Sequence, residues 1–189
     1  MAISTNGYHN QNAIIAKIQT ALTNMLADLN ITGWQVLRAN QTTIQALQNN
    51  SVYYDIISKR RIGTQGTKSV LVNGGWTDET KWVEEYLIQV GAFLQRDPDT
   101  DTVETLSSSD IISMLQGCVN SNGVLADKNY FSENWLQVIK STNIRELDYE
   151  TDSGLREKMP QFDFLLVIEQ VMTKDIHNVD DIDLDMYRV

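Results

Sequence analysis

The chain has 189 residues, with 15 Lys and Arg against 25 Asp and Glu, a formal net charge of -10 and a sequence pI near 4.5. That length suits one domain with a sizeable core, and 42% hydrophobic with 21% charged residues is an ordinary globular composition. No apolar run approaches the roughly 20 residues that span a bilayer, and so acidic a chain is a poor direct ligand for nucleic acid, where affinity rests on Lys and Arg.

Residues 1–12 are polar and predict a flexible N-terminal arm. MAISTNGYHNQNA has no basic segment followed by an apolar one, so no signal peptide is expected and the protein should stay in the compartment where it is made. From Ala13 to Leu29, Ile14, Ile15, Ile18, Leu22, Met25, Leu26 and Leu29 recur at spacings of three and four, an amphipathic helix with Asn12 as candidate cap and Gly33 just beyond its end. Residues 30–51 are rich in Asn, Gln and Thr. Trp34, Val36 and Leu37 suggest a short extended piece there, followed by a loop that either touches a partner or merely connects.

Val52 to Gly63 alternates as a strand and ends in the basic triplet Lys59, Arg60 and Arg61, which stands out in a chain with so few cations. The triplet is a candidate contact for an acidic face of a neighbouring subunit, or else a solvated strand end. GTQGTKS, residues 63–69, is not a phosphate loop: Thr67 separates Gly66 from Lys68, and Arg61 stands where the first Gly is needed. A hairpin turn is expected at Asn73 and Gly74. It leads into WVEEYLIQVGAFLQR, Trp82 to Arg96, which reads as the central strand, with Trp82, Glu84, Tyr86, Ile88, Val90, Ala92 and Leu94 on one mostly apolar face.

DPDTD, residues 97–101, spaces three acids as a calcium loop would, but Thr102 and Ser108 hold the places of the required Gly and Glu, so a turn is expected. Ser107 with Asp110 makes a capping-box variant for a second helix carrying Ile111, Ile112, Leu115 and Val119 and ending near Asn120. Cys118, the single cysteine, has no disulfide partner and reads as a small buried hydrophobe. His9 and His177, both near the ends, make a histidine metal site or proton relay improbable, and no cofactor is expected. Trp135 to Ile139 and then IRELDYE are sheet-like. Asp152 to Lys158 reads as a loop, and Phe162 to Thr173 as a second strong strand with Pro160 at its start. Residues 176–189 form an acidic C-terminal arm. Asp180, Asp181, Asp183 and Asp185 are interleaved there with Ile182 and Leu184, so the arm is a candidate to dock on the next subunit. Arg145 and Arg156 are either interface or loop charges.

Helix, meander, helix and two long strands give an α+β fold, an antiparallel or mixed sheet covered by two amphipathic helices, with residues 13–175 as a single domain. YYDIISKRRIG from Tyr53, the WVEEYLIQVGAF strand, the helix near SSSDIISML and the final FDFLLVIEQ strand resemble the neck or tail terminator (gateway) proteins of tailed bacteriophages. The likeness covers about residues 10–175 and rests on strand patterns, not on a catalytic signature. It implies a structural virion protein forming a homo-oligomeric ring, usually a hexamer, that stops tail-tube growth and joins the tail to the connector while DNA passes through the centre without specific binding. Tail tube or sheath proteins and connector proteins are the implied partners, and the virion, with host cytoplasm during assembly, the implied location. Net acidity is compatible with a channel that must not hold phosphates. Two other classes compete. One is a small acidic protein that binds a host or phage factor as monomer or dimer. The other is an enzyme using Glu84, Glu85 or Glu169, which lie along strands with no paired base or nucleophile.

Overall fold

A computed structural model of the chain describes residues 3–4, 8–39, 50–72, 75–94, 106–120, 130–131, 135–150 and 156–175. Helix α1 spans Gln11–Asp28 and buries Ile14, Ile18, Ala21, Leu22, Met25 and Leu26, the stripe its periodicity predicts. Its cap is Asn10, not Asn12: the Asn10 side chain accepts the Ala13 N–H at 2.9 Å. Asn30 closes the other end in the left-handed region at φ 56. The Ile31 N–H bonds to the Leu26 carbonyl at 2.9 Å and the Asn30 N–H to that of Ala27 at 3.0 Å, which is the paired bonding of a Schellman cap. Gly33 sits two residues after Ile31, before the next strand.

β2 (Gln35–Arg38) runs parallel to β3 (Ser51–Val72), and β3 forms a long hairpin with β4 (Gly75–Phe93). The strand read over Val52 to Gly63 does not stop there. A register shift falls between Ile62 and Gly66, where Gly63 takes φ 72, and β3 continues to Val72. The turn at Asn73 and Gly74 lies outside the described residues, as do the 40–49 loop and DPDTD. Helix α2, Ser108–Asn120, begins at the predicted box: the Ser107 hydroxyl accepts the Asp110 N–H at 3.1 Å, while the Asp110 carboxylate accepts the Ser107 N–H at 2.9 Å.

β5 (Leu136–Ser141) and β6 (Arg145–Glu150) are both short. They lie one after the other along a single edge of β7, Arg156–Asp175. β7 thus starts earlier than Phe162, takes in Arg156–Lys158, which read as loop, and contains Pro160. The missing N–H is tolerated because the β4 ladder begins only at Gln161, so Pro160 has a paired strand on one edge alone. From the N-terminal segment, Ile3–Ser4 pair as β1 with Thr173 and Lys174. The sheet order is β1-β7-β4-β3-β2, with β5 and β6 also on β7. Both β4 and β7 are interior strands, and the fold is α+β with a mixed sheet. Tyr54, Tyr86, Ile88, Val90, Phe162, Phe164, Leu166 and Ile168 form the inner face and share one core with α1 and α2. Burying such side chains is worth about 1.5–3 kcal/mol each before chain entropy is counted. Half-buried Cys118 packs against this core, and burial followed by the Asp28 carboxylate pushes its thiol pKa up.

Candidate functional site

The predicted basic triplet lies where β3 passes β4, and register sends its members to different faces. Lys59 and Arg61 stand opposite Tyr86 and Glu84 on the helix-covered face, while Arg60 stands opposite Glu85 on the other. Each is engaged within the chain. Lys59 Nζ is 3.0 Å from the Glu84 carboxylate, Arg60 Nε is 2.5 Å from Glu85, and Arg61 lies 4.9 Å from the Trp82 ring centroid and donates to Gln65 at 3.0 Å. Arg61 therefore has no carboxylate partner among the described residues. Asp180, Asp181, Asp183 and Asp185 lie outside them, so the structure brings neither half of that predicted pair to the other.

Sequence reading missed the partners of Glu84. Even parity on an apolar strand face takes this carboxylate into the interior, 6% exposed. Four groups converge on it: Lys59 Nζ at 3.0 Å, Trp82 Nε1 at 3.2 Å, the Tyr86 hydroxyl at 2.9 Å and Gln170 Nε2 at 3.0 Å. Burial alone would raise the Glu84 pKa, but these bonds outweigh it and hold the carboxyl below its ordinary range. Gln170, fully buried on β7, also accepts the His9 N–H at 2.7 Å and donates to the His9 carbonyl at 2.9 Å. The His9 ring stacks on Trp135 at 3.6 Å. One buried carboxylate thereby links β3, β4, β7 and the segment before α1. The signal in sequence was present, an acid on the apolar parity of the strongest strand, but its donors are up to 86 residues away.

The opposite face of the sheet has no helix over it among the described residues. It carries half-buried Ile62, Val83, Leu87, Leu165 and Val167 alongside the Arg60–Glu85 and Lys81–Glu169 ion pairs. Nearby, Arg145 bonds to Asp163 at 2.6 Å and Gln89 donates to the same carboxylate at 3.3 Å, so Arg145 is part of the sheet and not a loop charge. Toward the turn of the β3–β4 hairpin, Leu71 and Trp76 face each other across the ladder, 58% and 47% exposed. Large exposed apolar side chains are what a contact surface presents to another protein.

The carboxylates proposed for an enzyme, Glu84, Glu85 and Glu169, are tied to Lys59, Arg60 and Lys81, and no set of three His, Cys, Asp or Glu among the described residues is placed to hold a metal. A hollow of about 390 Å³ between the end of α1 and β2 is lined by Thr23, Leu26, Asn30, Ile31, Trp34 and Val36, with no titratable side chain.

A family model described as "E217 gateway protein gp29" matches residues 13–178. Among curated proteins none matches this chain. A solved structure described as the virion of a native gene transfer agent particle is similar at 12% identity, over 84% of this chain and 98% of that one, with a TM-score of 0.27.

Proposed function

The chain belongs to this gateway protein family, and on that premise we propose that it is a structural, non-enzymatic component of the head-tail junction in a tailed-phage virion. It assembles in host cytoplasm into a closed ring, on the family's pattern a hexamer, that ends the tail tube and joins it to the connector while DNA passes through. The observation that carries this reading is the family match, which spans both helices and nearly all of the sheet.

The surfaces agree with it. A ring of identical subunits needs two different patches that meet and close by rotation. Here a sheet face with no helix over it among the described residues and the exposed pair Leu71 and Trp76 are distinct apolar surfaces on one subunit. In this reading Lys59, Arg60 and Arg61 lie at the subunit boundary near Asp180, Asp181, Asp183 and Asp185 of the next copy, within a layout of one domain, 13–175, flanked by two arms. Arg61, which has no described acid partner, is the cation available to a neighbour. The test is immunogold labelling of purified virions: label at the head-tail junction is expected, and label confined to the capsid or the distal tail, or none at all, rejects the assignment.

A further inference from the structure

Building on that assembly reading, we propose that residues 181–186 of one subunit add as an extra strand to the free edge of β3 in the next, alongside Ser58–Ile62. β2 pairs with the outer edge of β3 at Ser51–Tyr54, and among the described residues no strand pairs with that edge from Ser58 to Ile62. Such an edge is a row of unpaired N–H and C=O groups ready to accept a strand. Register shifts at Ile56/Ser58 and Ile62/Gly66 bound one regular stretch, Ser58–Ile62, and the basic triplet occupies it. Three successive cations oppose pairing with another β3 and favour an acidic strand.

The chain contains one such segment. Asp181 to Met186 reads Asp-Ile-Asp-Leu-Asp-Met, a strict alternation that in a strand sends three acids to one face and three apolar side chains to the other. With Asp183 beside Arg61, the acids lie along the Lys59 and Arg61 face. Ile182 and Leu184 then continue the apolar strip of Ile62, Val83 and Leu87 on the opposite face.

Reach selects the neighbouring copy as the source of the strand. β7 runs parallel to β3 and ends at Asp175, opposite Thr77 and close to the hairpin end, whereas Arg61 is level with Glu84 and Ile168. To lie antiparallel on its own β3 edge with Asp183 beside Arg61, the chain must fold back about 17 Å and cross three strand spacings, about 14 Å. That is a span of about 22 Å, which the six steps from Asp175 to Asp181 cover only when fully taut, leaving nothing for the turn. A segment supplied by a second copy is not bound by this intramolecular span.

The experiment places Arg61→Cys and Asp183→Cys together in the full chain with Cys118→Ala, oxidises purified virions, and separates the product without reductant. A ladder of covalent multimers, absent from either single-cysteine control, is expected. Monomers cross-linked internally, or not cross-linked at all, in virions that contain the protein overturn strand addition while leaving the assembly reading intact. Absence of the unsubstituted protein from virions overturns both. A charge exchange gives an independent arm: Arg61→Glu or Asp183→Arg alone lowers incorporation about tenfold, and the two together restore it. Failure of the pair to recover, with each variant folded by its urea midpoint, also overturns the proposal.

Discussion

Tyr53 lies across Gly91 on the face of the sheet opposite Tyr54 and Val90: the two are direct cross-strand partners, and a Cβ added at Gly91 would come within 2.6 Å of Tyr53 Cε2 and closer still to the phenol end of the ring. A glycine in the middle of a strand ordinarily weakens it, and here an aromatic ring fills the space above. Gly91→Ala should therefore cost about 1–3 kcal/mol through displacement of the ring. Urea unfolding measures this, and Tyr53→Ala on the same background should recover part of the loss. An unchanged midpoint in Gly91→Ala would show that the ring moves aside freely.

The Glu84 cluster makes a stronger demand on stability. Glu84→Ala removes an acceptor shared by Lys59, Trp82, Tyr86 and Gln170, and leaving such donors unmet costs about 3–5 kcal/mol. Thermal melting of the variant at neutral pH reads the cost.

The same carboxylate predicts a pH dependence with a definite sign. Its folded-state pKa is lowered from the ordinary 4.5, the four bonds outweighing burial. Its stabilising contribution is then complete above that ordinary value and is lost as pH falls through the lowered one. The unfolding midpoint of the wild type should fall more steeply on acidification than that of Glu84→Gln. Parallel curves would contradict the assignment.

Ser107→Ala removes the hydroxyl that caps α2 and one of the two groups that hold the Asp110 carboxyl below its usual range. A loss of about 1 kcal/mol is expected by urea unfolding, and Ser107→Asn should recover most of it.

Leu71→Ser and Trp76→Ser separate folding from assembly. Both side chains are largely exposed at the hairpin end, so each change should leave the unfolding midpoint within about 0.5 kcal/mol of wild type. Loss of the protein from purified virions with folding intact is the outcome expected of an assembly surface.

Short-range patterns in the sequence carried much of this fold. The helical stripe of α1, the Ser107–Asp110 box and the parity that buries Trp82, Tyr86, Ile88 and Val90 all depend on spacings of two to four residues, and each is realised. Readings that depended on tertiary pairing went astray. β3 runs on past Gly63 because β4 supplies a partner as far as Gly75, and Arg156–Lys158 are strand because β6 pairs with them. The four donors around Glu84 come from β3, β4 and β7, so no local pattern announces them. The triplet stood out by composition, yet only the register reveals that Lys59 and Arg60 already hold acids while Arg61 rests on Trp82.

Ring formation is tested most directly by negative-stain electron microscopy of the concentrated protein, alone and with purified tails added, with rotational analysis of end-on views. Closed rings with a central opening wide enough for a DNA duplex are predicted in at least one of the two preparations, and their symmetry gives the subunit number. Monomers or dimers alone in both would contradict the account.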